Sequence, residues 1–414
     1  MKKIAIAILP VFCVLGGFAA FGEVLDRSGG IRIGERMTLR PYVSVSLTYD
    51  SNVEATSGAS ESEADCQWTI APGLGLSYNA ENWSLLLSGY YNYRQYFKHC
   101  YQNYNNHNYG EDLRWNWSSS TGRDKGWSLI IGEAFRQVTM ADDMVLDGGD
   151  NYQGDSRQLQ ISAALQRRFN EHLHGDLNAD YYWLDYMNDT SKRYSYYGWD
   201  RWTVGAEVGY APSPWTDFLV AGNYMGYQQD NLEGTQFDGN SQGFSVQGGI
   251  GSYMTERISY RVLAGWSCFE YGDDGSTQNG FVYTISGNWK IGETWNTMLL
   301  ATSYYQPSER QYASAARVDA VSWGLAKTMI RGKLRATLDL RYRHELHEMI
   351  NASEYDYNLD IITGRFGLDY SINRIIALFG NIEYQRSFND EADSRNGAYD
   401  YNRWRATLGV RFSY

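Results

Sequence analysis

Beyond residue 22 the chain has no run of 18 apolar residues, so no later segment can cross a bilayer as a helix. If such a chain crosses a membrane, it must do so with strands closed into a barrel, because lipid offers no water to open sheet edges. Cysteine is scarce, with four in 414 residues. Cys13 lies in the apolar amino-terminal segment, which leaves Cys66, Cys100 and Cys268, and an odd number argues against a disulfide scaffold. None of their spacings forms a zinc knuckle. Basic residues are in deficit, and a formal charge of −12 is a poor match for nucleic acid. No G-x-S-x-G nucleophile motif occurs, and His344-Glu345-x-His347 lacks the spacing of a zinc protease. His172 and His174 share one strand face, yet two ligands do not hold zinc without a third. Nothing in this inventory marks an enzyme, a metal site or a cofactor site.

The first residues have the layout of an export signal. Lys2 and Lys3 precede an apolar stretch from Ile4 to Ala20, and Ala20-Phe21-Gly22 offers a small-x-small cleavage site. The expected organisation is a signal peptide over 1–22, a periplasmic leader over 23–38 and one barrel domain over 39–414.

What the sequence has in abundance is two-faced strands. From the carboxy-terminus backwards, Tyr414, Phe412, Val410, Leu408, Ala406 and Trp404 fall on one face. Ser413, Arg411, Gly409, Thr407, Arg405 and Arg403 fall on the other. An apolar band that begins and ends in aromatics fits a lipid-facing strand with girdles at both interfaces. The aromatic ending, Phe412 and Tyr414, resembles the terminal signal by which outer-membrane barrels are recognised for insertion. The composition agrees: 35 Tyr and 14 Trp accompany a mean hydropathy of only −0.50, as expected when half of every strand faces water.

The same grammar runs through the chain. Pro41, Val43, Val45, Leu47 and Tyr49 alternate with Tyr42, Ser44, Ser46 and Thr48. Later, Leu334, Ala336, Leu338, Leu340 and Tyr342 alternate with Arg335, Asp339, Arg341 and Arg343. A one-residue slip there would place arginines in lipid at about 2–4 kcal/mol each near the midplane. Tight turns near 79–82, 119–126, 169–171, 211–214, 255–257, 290–293, 330–332 and 371–374 alternate with longer loops, among them 272–280 and 306–314. This predicts an all-β, transmembrane, antiparallel up-and-down barrel of about eighteen strands, with short periplasmic turns and long extracellular loops.

The stretch R-P-Y-V-S-V-S-L-T-Y-D-S-N-V (Arg40 to Val53) and then W-T-I-A-P-G-L-G-L (Trp68 to Leu76) resembles the opening of putative β-barrel porin 2 family proteins. Those begin with an alternating strand that ends in a Tyr-Asp-x-Asn corner, matched by Tyr49, Asp50 and Asn52. The resemblance implies a barrel in the outer membrane of a Gram-negative bacterium, in some members associated with exopolysaccharide production. It supplies no site residues.

The expected function is a water-filled pore for diffusion or export of small hydrophilic solutes, including saccharides if the exopolysaccharide link holds. The alternative is a non-conducting structural or adhesive surface protein. Expected partners are outer-membrane lipid and lipopolysaccharide, the barrel-assembly machinery and the solutes; nucleic acid is excluded. Lys333, Arg335, Arg341, Arg343, Arg365, Arg403, Arg405 and Arg411 form an expected basic pore wall, faced by Asp176 and Asp180. These charges either set a field across the pore or merely solvate it, pairing with Asp339, Asp369 and Glu383. Asp142, Asp143, Asp147, Asp150 and Asp155 make the third loop acidic. The tyrosine clusters, among them Tyr90, Tyr91, Tyr181, Tyr182 and Tyr196, are expected mainly as girdle. A hairpin register that puts Cys66 opposite about residue 95 predicts a disulfide between Cys66 and Cys100, with Cys268 a lone lipid-facing thiol.

Overall fold

Alternation over the whole chain, read as strands, closes into a ring. The computed structural model describes residues 30–52, 64–98, 107–119, 126–139, 155–186, 198–213, 215–229, 240–252, 257–271, 276–307, 313–349, 357–389 and 401–414. The strands are β1 (Ile31–Ile33), β2 (Met37–Asp50), β3 (Asp65–Asn79), β4 (Trp83–Tyr96), β5 (His107–Ser118), β6 (Gly126–Thr139), β7 (Asp155–Arg168), β8 (Leu173–Tyr186), β9 (Trp199–Ser213) and β10 (Thr216–Gln229). They continue as β11 (Ser241–Ser252), β12 (Ile258–Tyr271), β13 (Ser276–Ile291), β14 (Trp295–Pro307), β15 (Ala313–Met329), β16 (Leu334–Met349), β17 (Tyr357–Ser371), β18 (Ile376–Asn389) and β19 (Tyr401–Ser413). No helix occurs among the described residues.

Each strand from β2 to β18 pairs antiparallel with the next, and β19 pairs with β2 to close an eighteen-strand barrel. The extra strand, β1, pairs with Met37–Leu39 of β2 at the short-turn end, below the point where β19 stops at Ser413 opposite Tyr42. β1 and the start of β2 thus occupy part of the expected leader. Strand growth also shortens two connections expected to be long. Gln278 and Gly280 pair with Phe269 and Ser267, so only 272–275 separate β12 from β13, and only 308–312 separate β14 from β15.

Apolar outward faces carry the barrel in lipid. Val45, Leu47, Val204, Val220, Val246, Ile382 and Leu408 are all exposed on the outside. Aromatics bracket the band: on β19, Trp404 near the long-loop end and Phe412 near the short-turn end are eight residues apart. At about 3.4 Å per residue and a 35–45° tilt, that separation is about 20 Å along the barrel axis. Cross-strand pairs such as Tyr384–Trp404 (4.5 Å between centroids) and Tyr78–Trp83 (4.7 Å) build the two girdles. Between β15 and β16 the tight turn runs through Ile330 (φ 51°), Arg331 (φ 54°) and Gly332 (φ 86°). Only the glycine suits that conformation without strain.

The seam is fastened on the inner wall. Arg403 donates from Nε to both Asp50 carboxylate oxygens, at 2.9 and 3.0 Å, and from Nη2 to one of them. Both side chains are 1% exposed. Next to them the Ser51 N–H donates to the Trp404 carbonyl (2.9 Å), the Trp404 N–H to Ser51 Oγ (2.7 Å) and Asn52 Nδ2 to the Asn402 carbonyl (3.3 Å). The Tyr49–Asn52 corner is therefore the piece of the first strand that grips the last.

The cysteine register differs from expectation by two residues. Gln67 pairs with Tyr96, which sets Cys66 opposite Phe97, whose N–H donates to the Cys66 carbonyl at 3.0 Å. Cys66 and Cys268 are free thiols, and Cys100 lies outside the described residues.

Two predictions follow from these contacts. Asp50→Ala should destabilise the barrel by about 3–5 kcal/mol, because it strands a buried guanidinium. The loss is read as a lower temperature for conversion of the compact to the unfolded band on semi-native gels, and Asp50→Ala with Arg403→Met should lose less. Leu408→Arg, in lipid, should cost about 2–4 kcal/mol, whereas Thr407→Arg, one residue away on the inner face, should cost little.

Candidate functional site

Strand alternation that turns valines and leucines outward turns every other residue into the lumen. On β16 to β19 those residues are largely charged. Glu383 lies between two arginines: Arg365 Nε donates to its Oε2 at 2.6 Å and Arg405 Nε to its Oε1 at 3.0 Å. Arg411 stands 3.5 Å from Asp369, and Arg335 is opposite Asp369 in register. Nearer the long-loop end, Arg343 pairs with Glu345, which also meets His347 Nε2 at 2.8 Å. Arg403 is consumed by the seam. Arg341 is exposed and makes no ion pair among the described residues, and Lys333 is exposed in the turn before β16. One carboxylate cannot neutralise both Arg365 and Arg405. Asp50, Asp339, Glu345, Asp369 and Glu383 are outnumbered by the eight basic residues expected there, so this wall keeps a positive excess.

The ring places β8 half a circumference from β17. Asp176 and Asp180 face inward there, but Asp180 is buried, accepts from Gln160 Nε2 at 2.9 Å and has Arg201 at 3.9 Å. Asp217, Glu207 and Arg261, which sequence reading did not single out as site residues, complete this wall together with His174. His174 Nε2 lies 2.6 Å from Asp217 Oδ2 on β10, reaching across β9 at Gly209, where a Cβ would fall on the imidazole. Arg261 on β12 forms a two-pronged pair with Glu207 on β9, one contact measuring 3.2 Å. No sequence motif marks these pairs; only the strand register brings β8, β9, β10 and β12 side chains together. Asp142, Asp143, Asp147 and Asp150 lie outside the described residues, and Asp155 opens β7. His172 bonds the Ala211 carbonyl at 2.7 Å in its turn, so it does not join His174. At the carboxy-terminus, Phe412 sits in the lower girdle opposite Ile376 and Val43, and the Tyr414 N–H donates to the Pro41 carbonyl at 3.1 Å.

Inner-wall charges within an apolar-coated, closed strand ring are the layout of a channel protein. The family model described as "Putative beta-barrel porin 2" matches residues 27–414. The chain belongs to this family. Membership points to an outer-membrane barrel of the porin type and supports a transport channel. No curated protein matches the chain. Among solved structures, the chain is similar to the FrpB iron transporter from Neisseria meningitidis (F5-1 variant, apoprotein form) at 10% identity, 92% of this chain, 82% of that chain and a TM-score of 0.46. It is also similar to Pseudomonas aeruginosa OpdK with vanillate at 10% identity, 91% of this chain, 99% of that chain and a TM-score of 0.45. The siderophore receptor PirA from Pseudomonas aeruginosa is similar at 9% identity, 93% of this chain, 81% of that chain and a TM-score of 0.43.

In this porin-family barrel Glu383 is the counter-charge on which two arginines depend. Glu383→Gln should destabilise the fold by on the order of 2–3 kcal/mol and increase the positive charge of the wall. A conducting variant should then show a reversal potential shifted towards anion preference under a salt gradient.

Proposed function

We propose that the barrel is a water-filled pore for small hydrophilic solutes in the outer membrane of a Gram-negative bacterium, with an anion-favouring field across its lumen. The observation that carries this reading is the positive excess of the β16–β19 wall, with Arg341 and Arg365 exposed to the lumen and carboxylates on the facing wall. An eighteen-strand ring is too wide for wall side chains to fill, and fixed charges along such a space favour hydrated solutes of opposite sign. Paired charges hold their shape, whereas Arg341 is available to a passing ion.

Saccharides belong to this reading as neutral hydrophilic solutes. Tyr182, Trp199 and Tyr227 form a tilted aromatic cluster on the inner wall, with centroids 4.9 and 5.2 Å apart, and Tyr182 and Tyr227 are buried, so the cluster packs the wall and offers no open ring face to a sugar. Export of an exopolysaccharide through the same lumen is part of the proposal.

A second reading has its own observation. Inward-facing residues near the long-loop end are fully buried: Ala316, Val318 and Leu359 are 0% exposed and Phe269 is 1% exposed. A lumen filled at that end would make the protein a non-conducting surface barrel. Single-channel recording separates the two, since steps of conductance are expected for the pore and none for the filled barrel. Arg341→Gln is expected to move the reversal potential towards cations at unchanged thermal stability. Arg403→Gln is expected mainly to destabilise, because Arg403 holds the seam. An unchanged reversal potential in conducting Arg341→Gln would remove the wall from the account of selectivity.

A further inference from the structure

Outward-facing tyrosines near the long-loop end mark where lipid meets its headgroups. Tyr109 OH donates to Gln137 Oε1 (2.8 Å), Tyr224 OH to Gln242 Oε1 (2.7 Å), Tyr342 OH to Asp360 Oδ1 (2.6 Å) and Tyr384 OH to Asn402 Oδ1 (3.0 Å). Each acceptor stands on the neighbouring strand, level with its tyrosine or two residues nearer the long-loop end. An aromatic ring in the apolar layer with its hydroxyl tied to a polar group above is the arrangement of a membrane interface.

Just above this collar, β16, β17 and β18 carry one row, His344, Asp360 and Phe388. His344 Nδ1 lies 3.0 Å from Asp360 Oδ1, which fixes the ring with Nε2 on its far side. Asp360 is 7% exposed although it sits on the outer surface, and its Oδ1 is already engaged by Tyr342 and His344. The Arg386 guanidinium lies 5.3 Å from the Phe388 ring centroid, which brings it up to the same row. Arg386 is exposed and makes no ion pair among the described residues. Arg317, also on the outer surface near this end, is different, with its Nε 3.4 Å from Asp319. Arg157 faces Asp185 directly across the β7–β8 ladder.

We propose that this outward patch on β16–β18 binds the phosphate of an anionic outer-leaflet lipid. A guanidinium lying over an aromatic ring, with no carboxylate paired to it among the described residues, offers the charge-assisted fork that phosphate prefers. His344, held through Nδ1 by Asp360 and flanked on β15 by Asp319, borders the patch, and Phe388 meets the first carbons of the lipid. The height above the Tyr342 and Tyr384 collar is that of a headgroup, not of acyl chains and not of free solution. The patch rests on the placement of the long-loop end in the outer leaflet, and it does not depend on the lumen being open.

The test uses the full barrel in neutral detergent, titrated with lipid A, enzymatically dephosphorylated lipid A or phosphatidylglycerol and followed by native mass spectrometry. Lipid A should be retained and its dephosphorylated form should not. Arg386→Gln should weaken retention about tenfold, the loss of one charge-assisted contact, and His344→Gln should weaken it less. Arg157→Gln serves as the control and should leave retention unchanged. Both test residues are on the surface, so the compact gel form of each variant should persist, and this is checked first. Retention of phosphatidylglycerol with the same Arg386 dependence supports the phosphate site and assigns it to phospholipid. Equal retention of lipid A by wild type and Arg386→Gln, or equal retention of its dephosphorylated form by wild type, overturns the proposal. Because retention is scored without current, a non-conducting barrel would leave this outcome readable.

Discussion

Closure is the constraint on which this molecule depends. A row of unpaired backbone groups facing hydrocarbon is not tolerable, so the last strand must find the first across the entire length of the chain. Nine residue pairs join β19 to β2, and at the long-loop end of that seam the Asp50–Arg403 pair and the hydrogen bonds of Ser51 and Asn52 secure the register. The ion pair is costly to bury and costlier to break, which makes it a device for selecting one alignment more than a source of net stability. Once the alignment is set, the period of two determines every other facing: lipid outside, charge inside.

Inside, charge is handled locally. Arg365, Arg405 and Arg411 lean on Glu383 and Asp369 of their own wall, and Arg261 and His174 lean on Glu207 and Asp217 of theirs. In the water-filled lumen proposed above, there is little direct attraction from wall to wall, because water and salt screen over about 8–10 Å. The field such a pore would have at its middle is therefore the remainder after local pairing. That remainder is small in number and concentrated at residues such as Arg341.

The barrel was legible in the sequence because lipid demands a long, regular alternation, and with the rhythm of short turns and long loops it led to about eighteen strands, the number that closes the ring. Alternation is less clean in the sequence of β6, β10 and β15, and the structure shows why. Inside the barrel β15 carries Ala316, Val318 and Ala320, and β10 carries Leu219, Ala221 and Met225, so both of their faces are apolar. On β6 the polarity is mixed, with Ile130 and Ala134 inward and Glu133 outward between Leu113 and Ile161. The basic wall was read as a set of inward positions with Asp369 and Glu383 among its counter-charges, but the seam partner Asp50 and the pairs of the facing wall were not read. Asp50 and Arg403 are 353 residues apart, and His174 meets Asp217 only because a glycine lies between them. Contacts of that kind depend on register between strands, about which a single strand's composition is silent.

The three residues of β1 give the barrel a property that the ring of eighteen lacks. β2 starts lower than β19 ends, so a stretch of its backbone would otherwise offer donors and acceptors to any extended segment in the periplasmic space. Ile31–Ile33 fold back and occupy that stretch. Unguarded edges are where sheets recruit foreign strands and begin to aggregate. The small flap covers that stretch and leaves in its place only the edge of three residues, too short a template for another chain to extend.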